Sequence, residues 1–154
     1  MRRFPIRAIA LITLVAACSS DPTGTNHPVN NTGMGATING ADWVPAGKAS
    51  ATYRNNIFSI AGLNLTYSVS LSIGLLTTTG TYSLDPGNLK AADGIVSNTT
   101  GGWGTAFAGG SGSITFTTLT PTHAVGTFSF DATPGSGNAA GTMHVTNGSF
   151  DVTY

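Results

Sequence analysis

The sequence predicts an all-β protein of about ten antiparallel strands in a meander, folded as a flattened barrel or a two-sheet sandwich. Three observations carry this. Apolar and polar residues alternate at period two, most clearly in Tyr67-Ser68-Val69-Ser70-Leu71-Ser72-Ile73. That period puts Tyr67, Val69, Leu71 and Ile73 on one face of a strand and three serines on the other. Glutamate is absent while threonine, serine, glycine and asparagine abound, a composition poor in helix formers. Finally, the pairs Asn39-Gly40, Asn55-Asn56 and Asn147-Gly148 fall at hairpin spacing, where the positive φ of a two-residue turn favours such residues.

Two segments of another kind come first. Arg2, Arg3 and Arg7 accompany the apolar run 8–17, and small residues follow, the pattern of a secretory signal peptide over 1–17. The run would rise roughly 15 Å as a helix, about half of a ~30 Å hydrocarbon core, so it is too short to span a membrane. Phe4-Pro5-Ile6 after Arg2-Arg3 departs from a twin-arginine context, which points to general secretion. Val15-Ala16-Ala17-Cys18 resembles the lipobox of bacterial lipoproteins. The resemblance implies a diacylglycerol-modified thiol on Cys18, palmitate-type acylation of its freed amine, and anchoring that two or three chains make permanent. An ordinary secretory peptide cut elsewhere is the alternative. The expected location is the bacterial cell envelope, at the outer membrane in a cell that has one. Residues 18–33 then form the acylated cysteine and a flexible tether, since 19–33 hold a single aliphatic residue, Val29, and no periodicity.

The β-domain is expected over 34–154. Strands are predicted at 34–38, 49–54, 57–63, 67–73, 80–84, 94–97, 103–107, 113–119, 125–132 and 141–146. A last strand follows, in which Phe150, Val152 and Tyr154 face the core. Asn147-Gly148 is the strongest hairpin signal, and 85–88, 109–112 and 134–138 are longer Gly/Pro/Asn breaks. Short links make consecutive strands antiparallel neighbours.

Composition excludes one partner class. Past residue 17, Lys48, Arg54 and Lys90 stand against six aspartates, a net charge of −3. Three scattered cations cannot neutralise a row of phosphates, so nucleic acid is not an expected partner. No metal or cofactor is expected either. His27, His123 and His144 lack His-x-His or His-x3-His spacing and read as surface histidines. Asp85 and Asp93 each begin a turn, where a carboxylate caps its own backbone. Ser111 in Gly109-Gly110-Ser111-Gly112-Ser113 misses the Gly-x-Ser-x-Gly elbow. Asp42 with Asp131 or Asp151 forms no carboxylate pair that the sequence itself selects. The domain is therefore expected to be non-enzymatic.

What remains is aromatic. Trp103, flanked by Gly101, Gly102 and Gly104, is a candidate ligand-binding ring because small neighbours could leave its face open. Trp43 is a second candidate, and plugging one end of the barrel is its plainer role.

Ala36-Thr37-Ile38-Asn39-Gly40 with Trp43, then Gly80-Thr81-Tyr82, Ile114-Thr115-Phe116, Val125-Gly126-Thr127-Phe128-Ser129-Phe130 and Thr146-Asn147-Gly148-Ser149-Phe150-Asp151-Val152-Thr153-Tyr154 resemble a family of uncharacterised bacterial lipoproteins. The likeness runs from Ala36 to Tyr154 and implies a small antiparallel β-domain of unknown function on a lipid anchor. The expected function is that of an envelope lipoprotein that binds or presents a partner. The alternative is a carrier holding an apolar molecule or a carbohydrate in a pocket within the barrel.

Overall fold

The computed structural model describes Val29 and residues 31–154. The segment expected to be a signal peptide, Cys18, His27 and most of the expected tether lie outside the described residues. Thr32 and Gly33, assigned to the tether by sequence, are bonded into the domain, with Thr32 O accepting from Ala49 N at 2.8 Å and Gly33 O from Asp151 N at 3.0 Å.

Eleven antiparallel strands and no helix make up the described chain. They are β1 (Met34–Ile38), β2 (Ala41–Trp43), β3 (Ser50–Arg54), β4 (Ile57–Leu63), β5 (Ser68–Ile73), β6 (Gly80–Ser83), β7 (Asp93–Ser97), β8 (Gly101–Gly104), β9 (Ser111–Leu119), β10 (His123–Gly137) and β11 (Met143–Thr153). The order is β2-β1-β11-β10-β8-β7-β5-β4-β3, with β9 and then β6 branching from β10. The sheet curls into a half-barrel. Its two halves, joined through β10, are called the first sheet (β6, β9, β10, β11, β1, β2) and the second sheet (β8, β7, β5, β4, β3). The meander holds in β3-β4-β5 and β9-β10-β11. It is interrupted where β6 leaves to pair with β9, and β7 returns beside β5.

Two of the three Asn turns are hairpins. Asn39 and Gly40 have φ of 48° and 83° between paired Ile38 and Ala41, and Asn55 and Asn56 have 52° and 62° between paired Arg54 and Ile57. The short strand β2, absent from the sequence reading, follows the first of these. Asn147-Gly148 is not a turn. Partners of β11 slip by one residue there against both β1 and β10, so Asn147, at φ 52°, is the extra residue of a β-bulge. The two strands expected around it are one, β11. The break expected at 134–138 is likewise strand: β10 pairs with β9 and β11 up to Asp131 and Ala132, then with β8 from Thr133 to Gly137. Pro134, which has no N–H to give, sits at the register shift of that second pairing, where a proline is tolerated.

The core lies between the facing sheets. Phe58 of β4 meets Phe116 of β9 edge-on at 5.0 Å and Phe150 of β11 at 5.7 Å, and Phe116 meets Phe150 at 5.4 Å. All three are fully buried, with Val69, Leu71 and Ile73 beside them. Burying a side chain of this size contributes about 1.5–3 kcal/mol, and each ring pair about 0.5–1.5 kcal/mol more.

Candidate functional site

Trp103 and Trp43 are both interior. Trp103 is 5% exposed, and its indole N–H donates to Gly141 O at 3.0 Å, with Ala140 O at 3.3 Å. The glycines around it do not open its face. A Cβ on Gly101 would stand 2.6 Å from Ala139 N and Ser136 O, and one on Gly102 2.9 Å from Ser136 Oγ. Their missing side chains are the space through which the end of β10 and the segment after it close over β8. Trp43 is 2% exposed and donates to Tyr67 O at 3.2 Å, with its ring against Gly62 of the second sheet.

The two described histidines are paired, which spacing alone could not reveal. His123 Nε2 lies 2.7 Å from Asp151 Oδ1, and His144 Nδ1 lies 2.7 Å from Asp131 Oδ1. Both pairs are cross-strand contacts between β10 and β11 on the outer face of the first sheet. Ser111 stands opposite Asp131 on the other side of β10. The row therefore reads serine, aspartate, histidine, with the carboxylate in the middle, and a nucleophile–base contact needs the imidazole there. Among the described residues no three His, Cys, Asp or Glu side chains cluster as metal ligands.

The two turn aspartates bind across the fold rather than capping themselves. Asp85 Oδ1 accepts from Gly112 N at 2.9 Å. That backbone bond, with help from the Ser83 hydroxyl, holds the carboxyl below its ordinary value. Asp93 Oδ1 accepts from Thr105 Oγ1 at 2.9 Å and Ala106 N at 3.3 Å. Thr105 is fully buried, and its hydroxyl also accepts from Gly94 N at 3.0 Å.

This clamp shapes the outer face of the second sheet. Register aligns Thr52, Ser59, Ser72 and Asp93 in one row, and Ser50, Ala61, Ser70 and Ile95 in the next. With strands about 4.8 Å apart, these short side chains leave a shallow groove of about 280 Å³. Ser59 and Ser72 hydroxyls bond across it at 3.2 Å. The second row continues from Ile95 to Gly104, which has no side chain of its own. Phe107 covers that position: a Cβ on Gly104 would stand 3.1 Å from the ring, and one on Gly135 only 1.9 Å. The ring is 46% exposed, held over glycines by the Asp93–Thr105 clamp two residues before it. The first row thus runs from hydroxyls to the Asp93 carboxylate, and the neighbouring row runs past Ile95 to the exposed Phe107 ring. Sequence reading placed Phe107 at a strand end and missed it; the signal was the three glycines of β8, Gly101, Gly102 and Gly104, which leave space that something has to cover.

No curated protein and no solved structure matches the chain. A family model described as "Domain of unknown function (DUF6252)" matches residues 30–152, nearly the whole described domain. On that match, the chain belongs to the DUF6252 family.

Proposed function

We propose that this is a cell-envelope lipoprotein, acylated at Cys18, whose β-domain is a non-enzymatic binding module for an extended carbohydrate. The observation that carries the binding reading is the hydroxyl-lined groove on the outer face of the second sheet, with the exposed Phe107 ring on the same face past Ile95, over Gly104. Serine and threonine hydroxyls exchange hydrogen bonds with sugar hydroxyls, Asp93 accepts from them, and the Phe107 ring offers an apolar face to a pyranose. A shallow outer face suits a polymer lying along it better than a small molecule that needs enclosure. In this reading Trp43 and Trp103 serve the core. The basic start, the apolar run and the sequence 15–18 support the anchor.

The test is retention of the purified full chain on peptidoglycan sacculi and on insoluble neutral polysaccharides, with intact mass reading the acyl chains on Cys18. Phe107→Ala should weaken retention by roughly two- to tenfold, the scale of one lost aromatic contact. Unchanged retention would remove Phe107 from the site. No retention on any glycan would leave the domain an interaction module for another envelope protein.

A further inference from the structure

Asp93 is bonded through one of its two carboxylate oxygens. Oδ1 accepts from Thr105 Oγ1 and from Ala106 N, and among the described residues no donor reaches Oδ2. No buried side-chain oxygen or nitrogen of the described residues lacks a partner, so Oδ2 lies where solvent reaches it. The clamp fixes its position. Thr105 is fully buried, and its hydroxyl is held in turn by Gly94 N.

The charge of this carboxylate is not used within the domain. Accepting from a hydroxyl and an N–H takes one carbonyl-type oxygen, which asparagine would supply as well. Ion pairs join His123 to Asp151 and His144 to Asp131, and among the described residues Asp93 has no cation partner. Lys90, close by in sequence, donates to Leu75 O at 2.7 Å and lies 5.5 Å from the centre of the Tyr82 ring. Arg54 and Lys48 belong to β3 and its entry, with β4 and β5 between them and β7. That separation is about 14 Å at ~4.8 Å per strand, beyond the ~8 Å screening length of physiological salt.

An aromatic ring stands beside the carboxylate. The Cβ that Gly104 lacks would be 3.1 Å from the Phe107 ring and 3.7 Å from Asp93 Oδ1, so ring and carboxylate border the same gap over β8. An exposed ring attracts a cation through its quadrupole, and an unpaired carboxylate does so through its charge. A neutral hydroxyl engages the carboxylate alone, whereas an ammonium engages both. From Asp93 the row continues across the groove as Ser72, Ser59 and Thr52. An ammonium on a polyhydroxylated chain matches this sequence of groups.

We propose that the glycan of this groove is an amino-sugar polymer, partly N-deacetylated, with one ammonium against Asp93 Oδ2 beside the Phe107 ring. Its hydroxyls then lie along Ser72, Ser59 and Thr52. The inference rests on the carbohydrate reading of the groove and names its substrate class. A lysine side chain of another protein presents the same ammonium, but the row of hydroxyls next to Asp93 suits a sugar. Partial deacetylation is favoured over complete, because a chain long enough to cross to β3 meets Arg54 and Lys48 there.

Calorimetric titration of the purified full chain with two glucosamine oligosaccharides of equal length, one fully and one half N-acetylated, tests it. The half-acetylated oligomer should bind about tenfold more tightly, the scale of one hydrogen bond to a charged group. Asp93→Asn keeps the oxygen that the clamp uses and removes the charge, and should erase most of that preference. Phe107→Leu leaves the clamp alone and should erase part of it. Equal affinity of the unmutated chain for the two oligomers, or a preference that Asp93→Asn retains, would overturn the proposal while a neutral-carbohydrate site still stands. Binding of neither oligomer would fail the carbohydrate reading and the proposal with it. Oligolysine is the last probe: tighter binding than the half-acetylated sugar, lost in Asp93→Asn, would assign the carboxylate to a protein partner and overturn the amino sugar.

Discussion

Asp85 illustrates how a single side chain does work here that its sequence neighbourhood does not suggest. It was expected to cap its own turn, and instead it accepts from Gly112 N at the start of β9, tying the loop after β6 to the strand that β6 pairs with. Because its folded pKa is lowered from 3.8, the unfolded chain binds a proton more readily than the folded one. Its contribution is therefore present above the unfolded value and lost as pH falls through the folded one. Urea midpoints should decline as pH drops below 3.8, and Asp85→Asn should flatten that decline. An unchanged pH slope in the variant would mean that the bond to Gly112 adds nothing. At the other extreme of pH, burial, and secondarily Tyr53, push the Tyr154 phenol up; this group favours the folded state below its ordinary pKa and ceases to as pH rises through the folded one.

At the scale of the element, the bulge in β11 is the instructive case. Asn-Gly between alternating segments signals a hairpin, and Asn147 does take the positive φ that such a turn requires. A single residue at positive φ also makes a bulge, and local sequence does not distinguish the two. What decides is that β1 and β10 flank β11 along its length, so the chain runs on as a strand and absorbs the extra residue. Gly148 is part of that solution, because a Cβ there would stand 2.5 Å from the Phe128 ring and 2.6 Å from Phe128 O. Gly148→Val should cost about 1–3 kcal/mol, the range for overpacking, read as a lower urea midpoint at unchanged m-value. A silent Gly148→Val would show that β11 can shift away from β10 at this point. The same reasoning covers β10, whose Pro134-Gly135-Ser136-Gly137 reads as a break yet carries the strand from the first sheet to the second.

For the molecule as a whole, the facing sheets enclose one aromatic and aliphatic core. Leu71, 1% exposed, faces the opposite sheet. Leu71→Asp should unfold the domain, because an unpaired buried charge costs several kcal/mol against a total stability of about 5–15. Loss of the β-type far-ultraviolet circular dichroism would report it, and a folded Leu71→Asp would contradict this packing. The sequence by itself determined the all-β class, which face of β5 is buried, and the hairpins at Asn39-Gly40 and Asn55-Asn56, because period-two alternation and positive-φ turns are properties of a few adjacent residues. Tertiary structure alone decided that β10 serves both sheets, that Asn147 bulges, and that Trp103 is covered while Phe107 is displayed. The last exchange has a plain cause: a glycine marks space without saying what fills it. The segments that fill the space around β8, residues 134–141 and the loop bearing Phe107, reach it only once the strands have paired.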